Sequence, residues 1–234
     1  PNAQPAFQIS IDGLLGGHSG CDIHLEHTNA NKLMGRILYS LLERFEGITL
    51  GSLGGGTKDN AIPRQCTATV CPAGEAEYHA ALAAAQELAA VLKEEISAVE
   101  PHAVLTVTPI RCDRHISSQD TRDLISLIFL APDGALRRNV AAGGFIIASV
   151  NMGILTIKED GRFCAMFAPR SSVASLQENT KAQLRLLAEL NRFTFTCDSE
   201  YPGWAYREQS PLRDTLCGAY EELFGSKMKL EAIH

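Results

Sequence analysis

Hydrophobic and polar positions in the first 110 residues predict short strands separated by two helices. Four segments have the period of two that half-buried strands show: residues 7–11, 48–50, 65–71 and 103–108. Apolar residues recur at helical spacing over residues 29–45, where Asn29 is a suitable N-cap, and residues 75–96 are rich in Ala, Leu and Glu. The resulting order of elements predicts an α+β fold, a ferredoxin-like antiparallel sheet with helices on one face.

The rest of the chain predicts a second α/β half that enlarges this fold. Three further helices are expected: residues 120–130, 175–191 and 211–224, the last between Pro211 and Gly225. Residues 143–157 and 162–167 predict a hairpin with an irregularity at Gly153. Residues 196–210 are expected to be a connector, and the chain is expected to finish in a strand over residues 229–234.

Composition and charge narrow the classes of function. A chain of 234 residues that is 45% hydrophobic can bury one large core or two modest ones. Its formal net charge of −6 offers no basic surface for a nucleic acid, and its most apolar run is too short and too polar to cross a bilayer. The seven cysteines have no paired spacing, and the first residues lack the features of a signal peptide. We therefore expect reduced thiols, a cytoplasmic setting, and neither a nucleic-acid nor a membrane partner.

Two motifs resemble parts of ligand sites, a phosphate-binding loop and a metal site, but each lacks a component that such a site requires. The segment 51–58 is rich in glycine, like a phosphate-binding loop, and its four glycines are expected to form a loop. A strand follows this segment, so the helix N-terminus that would hold a phosphate is missing. Cys21, His24 and His27 are three residues apart and could share a helical face, but no fourth metal ligand is apparent. No metal ligand is assigned in this chain.

One histidine stands out because of its glycine-rich surroundings. His18 lies within Gly16-Gly17-His18-Ser19-Gly20, directly after the first predicted strand. A histidine satisfied by the core would be carried on a regular element, so this position favours a functional role. Asn60, in Asp59-Asn60-Ala61-Ile62-Pro63, is by itself compatible with ordinary turn chemistry.

Taken together, the motifs along the chain resemble the bacterial aminoacyl-histidine dipeptidases of the M20 metallopeptidase family. The resemblance rests on the segments around His18 and Asn60 and on several others: residues 29–33, 55–57, 149–153, 170–172, 201–204 and 233–234. In that family a lid domain, which mediates dimerisation, is inserted into a catalytic domain that binds two metal ions, usually zinc. The resemblance implies that residues 1–197 are the lid and that residues 198–234 are a connector followed by the first returning helix and strand of the catalytic domain.

The resemblance also implies roles for three residues. His18 would reach the scissile carbonyl oxygen of a dipeptide, in the partner subunit's site of a homodimer. Arg170 would hold the substrate's C-terminal carboxylate in a bidentate geometry that lysine cannot reproduce. Asn60 would lie close to the substrate. The zinc ligands would lie outside this chain, so the chain alone is expected to be inactive, and His24, His27 and His234 receive no role.

Two alternatives remain open at the level of the sequence. The chain could be a stand-alone ferredoxin-like binding or dimerisation module, because it contains no complete catalytic set. It could instead be the lid of another M20 amidohydrolase, such as a tripeptidase or a deacylase. Both ends of the chain resemble those of a segment cut from a longer protein, which favours an enzyme over a stand-alone module. Zinc ligands in the flanking sequence would distinguish an enzyme from such a module.

Overall fold

The computed structural model describes residues 3–140, 143–204, 207 and 209–230, and its main elements follow the predicted order. Its strands are β1 (Gln4–Asp12), β2 (Gly17–His18), β3 (Thr49–Gly55), β4 (Ala61–Ile62), β5 (Cys66–Cys71), β6 (Val104–Cys112), β7 (Gly134–Asn139), β8 (Phe145–Ile157) and β9 (Phe163–Ser171). Its α-helices are α1 (Ala30–Arg44), α2 (Glu75–Ile96), α3 (Ser118–Leu130), α4 (Ala174–Leu190) and α5 (Pro211–Phe224). A 3₁₀ turn covers Ile23–Leu25.

Seven strands form one mainly antiparallel sheet that joins the two halves of the chain. Its first half has the strand order β6-β1-β5-β3, which is the ferredoxin-like arrangement predicted from the sequence. β8 pairs with β3, β7 and β9, so the second half extends the same sheet. β2 and β4 form a separate two-stranded ribbon. The ribbon carries both His18 and the residue after Asn60.

The helices form one layer against the sheet, and the hydrophobic core lies between the two layers. Helix α1 occupies the middle because it contacts both α2 and α3, while α3 contacts α4. Its buried apolar face includes Met34, Ile37, Leu38 and Leu41, which pack against Phe7 and Ile9 of β1 within one core cluster. The other face of the first-half sheet is lined by polar residues such as Ser10, Thr67 and Thr106, which are paired across β1, β5 and β6.

Several sequence predictions are corrected by the structure. The glycines at 51, 54 and 55 do not form a loop, because they lie within β3. A side chain at Gly55 would meet Asn31 of α1 and Cys66 of β5, so the close approach of these elements requires glycine there. The pattern also missed β7 and the short strands β2 and β4. Lys229 and Leu230 are not in a strand, and residues 231–234 of the expected final strand lie outside the described residues.

The predicted connector and the helix after it differ from the rest of the fold in their burial. Within the described residues, the connector between α4 and α5 contains no helix or strand. Helix α5 has no buried residue, although Leu212, Leu216 and Leu223 are apolar. Among the helices described, none is long and apolar enough to cross a membrane.

Candidate functional site

The turn that carries His18 is built from glycines and closed by Asp22. Gly16 and Gly17 have φ values of 67° and 136°, a region that favours glycine. The backbone N–H of His18 donates to Oδ2 of Asp22 at 2.7 Å, and the N–H of Asp22 donates back to the His18 carbonyl at 2.9 Å. A Cβ on Gly17 would press against the Asp22 side chain. The glycines therefore allow Asp22 to fold over the turn and fix the backbone of His18.

The imidazole of His18 is oriented by backbone donors. Its Nδ1 accepts hydrogen bonds from the N–H groups of Gly20 and Cys21, both at 3.1 Å. Because Nδ1 acts as an acceptor, the ring hydrogen of the neutral imidazole is on Nε2. The His18 side chain is exposed, so Nε2–H is a donor available to a group outside the turn.

The structure brings Asn60 next to His18. The carbonyl of Asn60 accepts the N–H of Ser19 at 2.9 Å, and β2 pairs His18 with Ala61. The Asn60 N–H donates to Oδ1 of Asp59 at 2.8 Å, so the turn holds the backbone of Asn60. The Asn60 side chain is exposed and does not pack in the core. Two positions 42 residues apart in sequence thus share one ribbon.

A network of buried amide side chains lies beneath this ribbon. The Nδ2 group of Asn151, on β8, donates to the carbonyls of Asp59 and Ala61 at 2.6 and 2.9 Å. Asn29 donates from Nδ2 to Asp133 Oδ1 at 2.8 Å and to the Met152 carbonyl at 3.2 Å. Sequence reasoning predicted Asn29 as the N-cap of α1, which the structure confirms, and noted the motifs at 29–33 and 149–153 as part of a resemblance, but it missed the network that joins Asn29 to Asn151. No local pattern links Asn151 to a turn 90 residues earlier.

Two charged groups at the edge of this network have shifted pKa values. Burial raises the pKa of Asp133 to about 6, although its hydrogen bond from the Met152 N–H, at 2.8 Å, and the nearby charge of Lys32 favour the ionised form. Burial lowers the pKa of Lys32, whose Nζ donates to three carbonyls at the end of α3. Asp133 also lines a cavity of about 380 Å³ with Asn151, His27 and Ile62.

Arg170 lies on β9, on the same side of the sheet as Asn151. It pairs with Ser149 of β8, and the side chains of directly opposed residues point to the same face. Asn151 is two residues after Ser149 on the same strand, so its side chain also points to that face. The Cα atoms of Arg170 and Asn151 are diagonal neighbours, roughly 7–8 Å apart. Arg170 Nη1 is 3.5 Å from the Tyr201 hydroxyl, and its buried Nε has no hydrogen-bond partner. This guanidinium therefore retains donor capacity for a ligand.

The other candidate ligands do not assemble into a metal site. Cys21 is exposed in a turn, His24 lies in the 3₁₀ turn, and His27 donates from Nδ1 to the Gly16 carbonyl at 2.5 Å. Within the described ranges no group of three or more His, Cys, Asp or Glu residues could hold a metal ion. The described residues therefore do not fit a zinc centre, and His234 lies outside them.

The buried cysteines are not suited to nucleophilic catalysis. Burial raises the pKa of the Cys66 thiol, and it raises the pKa of Cys71 to about 12. Both thiols therefore stay protonated near neutral pH, whereas the nucleophile of a cysteine hydrolase is a thiolate.

Comparison with known proteins identifies the first part of the sheet and its helices. Residues 9–100 match the family model of the M20 peptidase dimerisation domain. By this match, the segment resembles an M20 peptidase dimerisation domain. The match extends from β1 to the end of α2 and contains the turns of both His18 and Asn60.

Two relatives resemble the dimerisation domain together with the rest of the chain. The cytosol non-specific dipeptidase of Escherichia coli strain K12 is 29% identical over 237 residues, which cover 100% of this chain and 48% of that protein. The crystal structure of the aminoacylhistidine dipeptidase from Vibrio alginolyticus has a TM-score of 0.88 at 30% identity, over 100% of this chain and 47% of that one. These matches confirm the resemblance and the α+β fold. The chain spans about half the length of each relative.

Proposed function

We propose that this chain is the lid and dimerisation segment of a metal-dependent dipeptidase that hydrolyses Xaa-His-type dipeptides. Support comes from the dimerisation domain and from two relatives that are named dipeptidases. We place the two zinc ions of the complete enzyme on residues outside this chain, because the described residues offer no metal cluster. The chain alone is then inactive. The name of the Escherichia coli relative supports a cytoplasmic setting.

The state of His18 is the single observation that carries this proposal. An amide-hydrolysing site needs a donor for the oxyanion that develops on the scissile carbonyl. With Nδ1 occupied by two backbone N–H groups, His18 presents Nε2–H to its surroundings. In our proposal it donates this hydrogen bond to the oxyanion in the partner subunit's site.

Asn60 and Arg170 would bind the substrate. The Asn60 side chain is exposed on the ribbon that carries His18. Arg170 has an unpaired Nε and a guanidinium geometry that matches a carboxylate, so we assign it to the dipeptide's C-terminal carboxylate. Tyr201, whose hydroxyl is 3.5 Å from Arg170 Nη1, is exposed, and Gly203 nearby in sequence packs against Ser171.

Burial supports a proposed division of the chain into two parts. We propose that residues 1–197 form the lid, and that residues 198–234 lead into the catalytic domain. The connector is tied to the lid by Lys181, whose Nζ is 3.0 Å from Oε1 of Glu200. Helix α5 buries none of its residues within the described chain, so its apolar side chains are available to the catalytic domain.

We propose that the homodimer forms through the free edge of β6. Among the described residues, no strand pairs with this edge of β6. Val104, the first residue of β6, is half exposed. The opposite edges are less suitable, because β7 contains two register irregularities and Gly203 packs against the end of β9. Pro109 has no backbone N–H to donate to a neighbouring strand, so we propose that residues 104–108 pair with the partner subunit.

A dipeptidase assay of the full-length protein with and without His18 tests the proposed function. We expect hydrolysis of Xaa-His dipeptides by the wild type, and a loss of about 10²–10³ in kcat for His18→Ala with unchanged metal content. The exposed His24, also near the ribbon, provides the control, and His24→Ala is expected to stay within about twofold of the wild type. Absence of dipeptidase activity in the metal-loaded wild type, or full activity of His18→Ala, would contradict the proposal.

A further inference from the structure

The turn from Asp59 to Ala61 has little local structure of its own. Its internal hydrogen bonds are the one from Asn60 N–H to the neighbouring Asp59 side chain and a long one, at 3.4 Å, from Ala61 N–H to the Lys58 carbonyl. Residues 57–60 are exposed. The position of this turn therefore depends on the element beneath it.

That element is β8, which contacts the turn in two ways. The Asn151 amide donates to the carbonyls on either side of Asn60, so both of its hydrogens are used to hold the turn. Two residues later, Gly153 lies against the backbone of Asp59, where a Cβ would come within 2.5 Å of the Asp59 Cα atom. Glycine at 153 allows the turn to approach closely enough for the Asn151 hydrogen bonds.

The orientation of Asn151 is set by its buried neighbours. Asn151 is 1% exposed, and its Oδ1 is 3.5 Å from the Nδ2 group of Asn29. Asn29 also caps helix α1, because its Oδ1 accepts from Asn31 N–H at 2.9 Å. A flipped Asn151 amide would place its oxygen against two carbonyl oxygens, which disfavours that alternative. The amide is thus locked between a helix N-terminus and the turn.

We propose that Asn151 is a positioning residue that holds Asn60 and His18 in register with each other. This inference rests on the proposed function of those two residues. Asn151 fixes the carbonyls of Asp59 and Ala61, and the Asn60 carbonyl between them accepts the N–H of Ser19 in the His18 turn. Asn151 contacts neither candidate side chain. Its effect passes from the Asn151 side-chain amide on β8 to the carbonyls of the turn from Asp59 to Ala61, and then through backbone hydrogen bonds to the His18 turn.

Hydrogen exchange in the full-length protein measures this positioning directly. Asn151→Leu keeps a similar shape but removes both donors, so we expect amide exchange in segments 16–22 and 57–63 to accelerate at least about tenfold. Segments of β1 and β5 are expected to keep their wild-type exchange. Asn191→Leu is the matched control, because Asn191 is also buried and donates to a backbone carbonyl, that of Leu187, at 2.8 Å.

Gly153→Ala provides a second variant that leaves every buried polar group in place. Its added methyl group pushes the turn away from β8, so we expect the same local acceleration of exchange and the same kinetic defect. This variant keeps the inference testable if Asn151→Leu does not fold.

The kinetic measurement connects positioning with activity. We expect kcat to fall about 10- to 100-fold in Asn151→Leu and Gly153→Ala, with smaller changes in KM and unchanged metal content, while Asn191→Leu stays near the wild type. Unchanged exchange in both turns, or accelerated exchange with wild-type kcat, overturns the inference. An inactive wild type contradicts the proposed function instead, and the exchange data then still decide whether Asn151 holds the two turns.

Discussion

His18, Asn60 and Arg170 differ in how firmly their surroundings fix them. The His18 ring and backbone are held by four hydrogen bonds within its own turn. Asn60 is fixed only through its backbone, and Arg170 is anchored by its strand while its Nε remains unpaired. Substitutions at these positions therefore test three different properties: the hydrogen-bond donor of His18, the turn that holds Asn60, and the guanidinium geometry of Arg170.

Arg170→Lys tests the proposed carboxylate clamp. Lysine keeps the charge but cannot form the bidentate pair, so we expect kcat/KM of the full-length enzyme to fall by about 1.5–3 kcal/mol with folding intact. The loss is expected to shrink for dipeptides amidated at the C-terminus, which lack the carboxylate. Arg162→Lys, at the exposed hairpin end that leads into β9, is the control. Equal losses on free and amidated substrates would indicate a structural role.

Asp133→Asn tests the electrostatics of the buried network. The folded-state pKa of about 6 is higher than the ordinary 3.8, so folding favours the protonated carboxyl. The stabilisation is fully present below pH 3.8 and is lost as the pH rises through about 6. Asparagine keeps an acceptor for Asn29 and Met152 and cannot ionise. From pH 4 to pH 7 we expect the wild type to lose about 2–3 kcal/mol of unfolding free energy relative to the variant.

Urea unfolding at pH 4, 5.5 and 7 measures that difference. Asp160→Asn is a control of opposite sign, because the backbone N–H and the guanidinium of Arg162 lower the pKa of Asp160. Stability linked to Asp160 is present at neutral pH and is lost as the pH falls through its folded-state pKa. Parallel stability curves for the wild type and Asp133→Asn would contradict the assignment.

At the scale of elements, the sequence predicted what depends on local periodicity and capping. Helices α2 and α5 begin and end as predicted, because Glu75 follows a Pro-Ala-Gly turn and Pro211 and Gly225 mark both ends of α5. β7 was missed because its solvent-facing Arg137 and Arg138 break the alternation. β3 was missed in part because glycines usually indicate a loop, whereas here they allow neighbouring elements to pack closely against the strand.

The candidate site depends mostly on contacts that no local pattern encodes. The glycine-rich turn singled out His18, but the tautomer of its ring follows from the fold of residues 20–21. The pairing of β2 with β4 joins residues more than 40 positions apart, and the Asn151 hydrogen bonds span about 90 positions. Such contacts are decided by the packing of the whole sheet.

The β6 edge provides a test of the proposed dimer. Lysine is unfavourable on a strand edge that pairs with another strand, so Thr106→Lys combined with Thr108→Lys is expected to convert the dimer into a monomer. Thr67→Lys is the control, because Thr67 and Thr106 both pair with Ser10 and share its face, but β5 is an inner strand. Sedimentation velocity distinguishes the two states. A stable dimer of the double variant would show that the interface lies elsewhere.

For the whole molecule, the proposed function divides one active site between this chain and parts of the protein that lie outside it. In the proposed function, the lid contributes a hydrogen-bond donor, a polar group and a guanidinium, while the metal centre lies outside it. The His18 side chain is exposed although its neighbours Gly16, Ser19 and Gly20 are buried, so its imidazole is available to a neighbouring subunit. The proposed role of His18 in the partner's site therefore makes activity a property of the dimer.

Mixing two inactive forms of the full-length protein tests this central claim most directly. One form carries His18→Ala, and the other keeps His18 but lacks the metal ligands that we propose lie outside this chain. After subunit exchange is verified, each mixed dimer contains one intact metal centre that faces an intact His18 of the other subunit. We predict that dipeptidase activity returns to the level of one working site per mixed dimer. If the mixed dimers remain as inactive as the two parent forms, His18 does not act across the dimer, which contradicts its proposed role in the partner's site.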